Sequence, residues 1–380
     1  MSTALSFQPD VDVIVAGGGA VGLAIAAALA DAGREVIVLE ANERCGDETS
    51  GRNNQVIHAG FLYPPGSLKA RLCREGHRRM LEYARLRGVP HRILPKLMPV
   101  LDEGALPQLT AMQKRGVAVG APALEILDAA ALRWAEPELR AAAALLSPDS
   151  GVIDAAAMVA ALEGEVQAAG GTVVTRSRVT RGRAETGGTV LTILDAEGEE
   201  SQIGCRCFVN AAGLGAAAVA DAMEGFPGAA RPDIHLARGQ FLSHRGPTPF
   251  GHMVVPLEPL LSAGGSLTLD MGGQSRFGPD LSFLPVRDYR PDAEVSPDAV
   301  AAIRAWWPGL DPERLAVDFV GIRPRVTGPG QPPGDWVVAG PDHHGLAGQF
   351  HLFGIDTPGL TACLALADHV LALSGLARRH

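Results

Sequence analysis

This 380-residue chain has no run of lysines and no basic stripe, and its formal charge is −9. Nucleic acid and anionic lipid are therefore not expected as partners, because both are recruited by clustered positive charge. No uninterrupted apolar span reaches the ~18 residues at which a transmembrane helix becomes a candidate, so no transmembrane segment is expected. Cysteine is scarce: Cys45, Cys73, Cys205, Cys207 and Cys363 are odd in number and scattered, without a CxxC pair. A reducing compartment follows, cytoplasmic by default, with or without peripheral membrane association. Cys205 and Cys207 alternate along a strand pattern and read as buried. No basic leader precedes the N-terminal apolar stretch, which reads as the start of a fold and not as a secretory signal. His343 and His344 have a single acid, Asp342, for company, so no metal site is expected. There is no solenoid repeat and no low-complexity segment. The chain is 47% hydrophobic, with 46 glycines and 28 prolines, and is long enough for about two domains, each with its own core.

The informative stretch is DVIVAGGGAVGLAIAAALADAGREVIVLE, residues 12–40. A β-branched run feeds GGGAVG, then an alanine-rich helix, then a second apolar run ending in an acid. In such a fingerprint Gly17 permits the tight turn, Gly19 lets the backbone approach a pyrophosphate, and Gly22 lets helix and strand pack closely. The helix N-terminus offers N–H groups and the positive end of a dipole to that phosphate. Glu40 stands where an acid holds a ribose 2′-hydroxyl, which argues against a 2′-phosphate. The expected ligand is an adenine dinucleotide, FAD or NAD.

A simple NAD dehydrogenase would continue with strand–helix units after Glu40. Instead a polar, turn-rich segment follows, then a helical stretch over 68–86. The nucleotide-binding pattern resumes near residue 154 with a helix, a strand over 172–175 and β segments around 190–194 and 205–211. It resumes again at the C-terminus. The expected fold class is α/β: a Rossmann-like, FAD-type binding domain (1–75, 151–230 and 326–380) interrupted by a substrate domain (76–150 and 231–325). The second should be mostly antiparallel β-sheet plus helices, with helices over 129–134, 137–146 and 297–307 and strands over 234–243, 253–256 and 266–271. The stretch FVNAAGLGAAAVADA mimics a second fingerprint, but no strand ending in an acid follows. Gly213 there suits a turn packed against the first ligand.

SGRNNQVIHAGFLYPPGSLKARLC (50–73), VGIRPRVTGPG (320–330) and FGIDTPGLTACLALADHV (353–370) resemble, in this order, motifs of the FAD-dependent D-amino-acid oxidase and glycine oxidase superfamily. The first is most similar to the L-2-hydroxyglutarate dehydrogenase-like members. GIDTPGLT departs from the Asn-Ala-Pro-Ser-Pro form of those members, which leaves hydroxy-acid and amine substrates both open. The resemblance implies non-covalent FAD. It places the Val179 backbone at the adenine, and Ser50, Arg52 and Asn53 along the pyrophosphate or the flavin edge. Gly354, Ile355, Thr357, Gly359, Leu360 and Thr361 would approach the isoalloxazine, where a helix start stabilises the charge gained on reduction.

The resemblance further implies that Arg323 holds a substrate carboxylate, a task suited to a planar guanidinium. His58 is then the candidate base that takes the hydroxyl proton while hydride leaves for flavin N5. A supporting role under the flavin is the main alternative for a histidine in that segment, and covalent attachment to the flavin a rarer one. Tyr63, Lys69, Gln240, His252 and His351 are further pocket candidates. The expected activity is FAD-dependent oxidation of a small 2-hydroxy carboxylate to the 2-oxo acid. The alternatives are an amino-acid or N-methyl amino-acid oxidase, or a flavin-holding partner protein. The electron acceptor is open among oxygen, a quinone and a carrier protein.

Overall fold

The computed structural model describes residues 7–121 and 124–376. Two compact units emerge. The first takes the described residues up to Gly51, then Ala155–His235 and those from Pro324 onward; the second takes Arg52–Asp154 and Leu236–Arg323. Residues 52–75, grouped by sequence pattern with the nucleotide domain, fold with the second unit. Val56–Ile57 pairs with Gly151–Ile153, which also belongs to the second unit, and this ties the stretch to its later partner. No helix among the described residues is long and apolar enough to cross a membrane.

In the first unit Val11–Ala16 is central, with Val13, Ile14 and Val15 fully buried. It runs parallel to Val36–Leu39 on one side and Glu200–Asn210 on the other. Thr172–Val174 extends the sheet beyond Val36–Leu39, and Gln349–Phe353 extends it beyond Glu200–Asn210. Numbered along the chain, these parallel strands lie in the doubly wound order 3-2-1-4-5. Strand order reverses between Val11–Ala16 and Glu200–Asn210, and ligands of such sheets bind outside the strand ends at that switch point. An antiparallel pair, Arg178–Glu185 and Gly188–Leu194, flanks the early half of Glu200–Asn210. The helix Ala20–Asp31 packs against Ala155–Ala168 and Gly359–Ser374. Its many alanines let these helices approach closely, while Leu23, Ile25 and Leu29 fill the remaining space. Cys205 and Cys207 are both buried on their strand, as the alternation implies.

The second unit holds an eight-stranded sheet in the order Leu315–Arg325, His235–His244, Ser275–Leu284, Leu267–Leu269, Met253–Val254, Lys96–Val100, Ala143–Ser147, Glu125–Asp128. It is mostly antiparallel; Met253–Val254 and Lys96–Val100 run parallel. The helix Pro297–Trp306, capped by Ser296, brings Trp306 into the main core. There Phe250 meets Trp306 edge-on at 5.3 Å and Phe277 stacks on Trp307 at 6.2 Å. The Trp306 Nε1–H donates to the Gly265 carbonyl at 2.8 Å.

One sequence expectation fails here. Residues 137–146 read as helix from their alanines and leucines. The chain instead leaves the helix Ala129–Ala135 and forms the strand Ala143–Ser147, inserted between Lys96–Val100 and Glu125–Asp128. With Ala144 and Leu145 at 0% exposure, pairing on both edges and burial override helix propensity.

Trp306→Ala removes the largest side chain of the second unit's core and orphans the Gly265 carbonyl. It should destabilise that unit by about 3–5 kcal/mol, seen as an earlier urea transition in far-UV circular dichroism.

Candidate active site

The first unit presents a cradle at its switch point. Gly17 has φ +111° and donates its N–H to the Leu39 carbonyl at 2.8 Å. A Cβ there would lie 2.5 Å from the Ala211 carbonyl oxygen, on the turn that follows the neighbouring strand. A Cβ on Gly22 would overlap the Gly17 carbonyl oxygen. These two glycines are demanded by the protein's own packing. Gly19 differs: a Cβ there would meet Ser50 Oγ at 3.1 Å and nothing else within 4 Å. The room ahead of this helix N-terminus suits a pyrophosphate, so the residues fit the expected dinucleotide. Ser50 Oγ accepts the Ala20 N–H at 3.0 Å and so caps the first turn.

Glu40, 7% exposed, binds with both carboxylate oxygens: Oε2 accepts from Gly18 N–H and Oε1 from Asn42 N–H, each at 2.7 Å. Each oxygen can accept a further bond, so the acid is fixed in place and still able to hold a ribose hydroxyl. Cys45 Sγ lies near Gly18, and burial, reinforced by Glu163 and Glu40, pushes its thiol up to about 12. It therefore stays protonated. Val179 is buried in the first unit's core with Leu39, just after a segment anchored by Ser177 N–H to the Glu40 carbonyl at 2.8 Å. Gly213 has φ +53° and nothing within 4 Å of a would-be Cβ.

In the C-terminal motif, Gly354 has φ +70°, and a Cβ there would overlap Val326 Cγ1. Asp356 Oδ1 accepts from the Trp336 indole N–H at 3.3 Å, and the Asp356 carbonyl accepts from Gly359 N–H at 2.7 Å. These contacts lead into the helix Gly359–Ser374, whose start carries no side-chain cap. Thr361 is fully buried on its first turn, while Ile355, Thr357 and Leu360 are half-buried.

The second unit holds a different group. His58 is half-buried, with its Nδ1 shielded from solvent, and burial, then the charges of Lys96 and Arg323, push its pKa well below the ordinary value. Lys96 and Arg323 therefore both lie within electrostatic reach of His58. Cys73 Sγ donates to the His58 carbonyl at 3.5 Å, and burial pushes its thiol up to about 12. Arg323 is half-buried on the edge strand Leu315–Arg325. On the same strand a Cβ on Gly321 would overlap the Arg52 carbonyl oxygen, so glycine lets these two backbone segments cross. The Arg52 guanidinium lies 4.7 Å from the centre of the Tyr289 ring, and Asn53 Oδ1 accepts from Gln55 N–H at 2.7 Å in a local turn. Lys96, which the sequence reading passed over, is 2% exposed.

Several pocket candidates have other duties. His351 is fully buried in the first unit's core, with Nδ1 3.0 Å from Asn210 Nδ2 and its ring among Phe208, Phe226 and Phe353. Burial lowers its pKa to about 3, and it is a packing residue, not a reserve base. His252 Nδ1 lies 2.5 Å from Glu136 Oε1, which also accepts from the Gly251 and His252 N–H groups. That buried carboxylate organises a turn and commits the ring. Gln240 Oε1 accepts from Arg238 Nη2 at 2.9 Å and Asp292 N–H at 2.8 Å, so its oxygen serves a structural ion-pair network. Lys69 is buried on the helix Leu68–Arg87, and Tyr63 is half-buried ahead of it.

The two kinds of glycine separate experimentally. Gly19→Val should fold with a melting temperature close to that of the wild-type apoprotein yet retain no flavin after gel filtration. Gly22→Ala should lower the melting temperature of the apoprotein itself.

Residues 12–373 match the family described as DAO, FAD dependent oxidoreductase. The chain is 34% identical to the mitochondrial L-2-hydroxyglutarate dehydrogenase of Arabidopsis thaliana, over 95% of this chain and 82% of that protein. It is 31% identical to the Homo sapiens protein of the same name, over 53% of this chain and 46% of that one. Among solved structures, the dithionite-reduced, FAD-bound L-alpha-glycerophosphate oxidase of Mycoplasma pneumoniae superposes with a TM-score of 0.85 at 22% identity, covering 96% of this chain and 94% of that one. Glycine oxidase of Geobacillus kaustophilus gives 0.80 at 20% identity, over 98% and 96%. With a nucleotide cradle built from its first strand, and a family match running almost end to end, this chain belongs to the FAD-dependent oxidoreductases of the DAO family.

Proposed function

We propose that the chain oxidises a small 2-hydroxy carboxylate of the L-2-hydroxyglutarate type to the 2-oxo acid. The observation that carries this reading is the half-buried imidazole of His58, held neutral within reach of two cations, Lys96 and Arg323. Relatives named for 2-hydroxyglutarate support it. Oxidising an alcohol requires a proton to leave oxygen, and a hydroxyl does not release it unaided near neutral pH. An amine substrate carries a lone pair once deprotonated and needs no such base.

Gly17, Gly19, Gly22, Glu40 and Ser50 would hold the FAD, with the segment from Gly354 to Thr361 as its second support. Bound FAD supplies the two-electron acceptor. Arg323 binds the substrate's 1-carboxylate through paired hydrogen bonds and fixes the orientation of the adjacent carbon. His58, kept neutral by burial, accepts the hydroxyl proton. The free cysteines, four of them buried, favour a reducing compartment, which we read as the cytoplasm, although the Arabidopsis and human relatives are named as mitochondrial.

The decisive experiment is anaerobic bleaching of the flavin by L-2-hydroxyglutarate, L-lactate, glycine, sarcosine and L-glutamate. Bleaching by a hydroxy acid is expected. Bleaching by the amines alone would overturn the reading. Admitting oxygen to the reduced protein then tests whether oxygen is the acceptor.

Arg323→Met should keep its FAD while KM for the substrate rises roughly ten- to a hundredfold, the loss of one charge-assisted interaction. An unchanged KM would remove Arg323 from carboxylate binding.

The pH dependence has a definite sign. His58 must be neutral to act, and in the free enzyme it protonates well below 6.5. The acid limb of kcat/KM should therefore lie below pH 6.5, with activity lost as pH falls through it. Bound carboxylates offset the charges of Lys96 and Arg323 and favour the imidazolium, so the acid limb of kcat should lie at higher pH. His58→Ala should slow flavin reduction by about 10²–10⁴-fold and abolish that limb.

A further inference from the structure

Lys96 is one of three lysines in the chain, and it opens the strand Lys96–Val100 inside the second unit's sheet. Its backbone is paired on both edges, to Met253 on one side and Ser147 on the other. Only 2% of its surface is exposed. Among the described residues its ammonium makes no ion pair or side-chain hydrogen bond. The groups acting on it electrostatically include no carboxylate; burial lowers its pKa to about 8, and the Cys73 thiol is the single counteracting influence.

A buried ammonium carries three donors and no acceptor. Taking it out of water costs several kcal/mol unless an anion and hydrogen-bond acceptors replace the lost hydration. Among the described residues, none supplies that anion. Lys96 also stands close enough to His58 to depress its basicity, as Arg323 does. Two cations thus attend one neutral proton acceptor. One of them suffices for the carboxylate next to the reacting carbon.

We propose that Lys96 binds a second carboxylate of the substrate, remote from the oxidised carbon, and thereby selects dicarboxylic 2-hydroxy acids over monocarboxylic ones. This rests on the reading of Arg323 and His58 given above. With Arg323 on one carboxylate and Lys96 on the other, the hydroxyl-bearing carbon is held near His58. A monocarboxylate leaves the buried ammonium unmatched. A site with an unpaired buried group discriminates strongly against a ligand that lacks the matching one. The direct contact is with the remote carboxylate and not with the reacting atoms, so its loss should appear chiefly in KM.

The test compares wild type, Lys96→Met and Lys96→Arg, each loaded with FAD, using L-2-hydroxyglutarate and L-2-hydroxybutyrate. Wild type should prefer the dicarboxylate in kcat/KM by roughly ten- to a hundredfold. Lys96→Met should lose that preference through a higher KM for L-2-hydroxyglutarate, with L-2-hydroxybutyrate changed less than about threefold; Lys96→Arg should recover part of it. An equal fall in kcat for both substrates at unchanged KM would make Lys96 a proton-transfer or structural residue and overturn the proposal. A preference retained in Lys96→Met would also overturn it. If neither hydroxy acid reduces the wild-type flavin, the hydroxy-acid reading itself fails, and L-glutamate against L-2-aminobutyrate then tests Lys96 in the same way. A binding measurement independent of turnover and of the variants' folding uses the wild-type holoenzyme: glutarate should raise its melting temperature more than butyrate does, and equal protection would refute a second carboxylate site.

Discussion

Where the strand Val11–Ala16 becomes the helix Ala20–Asp31, the backbone passes closer to itself and to its neighbour than any side chain permits. The Gly17 carbonyl oxygen occupies the place of a Cβ on Gly22, and the Ala211 carbonyl lies 2.5 Å from the place of a Cβ on Gly17. This approach sets how low the helix sits over the sheet, and hence where its first-turn N–H groups lie. It also binds together elements far apart in sequence, because Ala211 follows the strand Glu200–Asn210 across the switch point. Glu40 completes the arrangement by tying Gly18 to Asn42 with its two oxygens. The acid that would hold the ribose is thus oriented before any ligand arrives, and its reorganisation cost on binding is small.

The second unit works through charge. Burying Lys96 without a counter-ion and placing Arg323 within reach of His58 leaves a local surplus of positive potential in a poorly solvated region. That surplus has two consequences with one cause. It would attract carboxylates, and it favours the neutral form of His58. It also weakens His58 as a base until a ligand arrives, because the same field opposes imidazolium formation. On the proposed reading, a bound dianion would cancel much of that field, and binding would be linked to the basicity of the imidazole. The neutral thiol of Cys73 adds no charge to this balance, since burial keeps it protonated.

What could be read in the sequence were features with a local cause. The fingerprint, the helix Leu68–Arg87 with its Ser67 cap, and the helix Pro297–Trp306 with its Ser296 cap are written in consecutive residues. The interrupted organisation was legible because strand–helix alternation stops after Glu40 and resumes later. What could not be read depends on partners distant in sequence. The strand Ala143–Ser147 has the composition of a helix and becomes a strand because two other strands claim its edges. Residues 52–75 follow the nucleotide-binding stretch in sequence, but their pairing partner at Gly151–Ile153 lies some ninety residues on. His351 looked chemical by residue type and is held by Asn210 and three phenylalanines instead.

Lys96 is the instructive omission. In KLMPV the period-two alternation places Lys96, Met98 and Val100 on one face of the strand, and all three are almost fully buried. A lysine in register with two core residues conflicts with the pattern around it, because a soluble strand normally turns its lysines to water. Such a conflict between local pattern and global fold persists where function offsets its cost. The sequence held the conflict but not its resolution. Whether a buried lysine meets a carboxylate from its own chain depends on which side chains the fold gathers around it, and here the fold gathers a thiol and an imidazole. Among the described residues no carboxylate meets it, and that is the observation on which the proposed second carboxylate site rests.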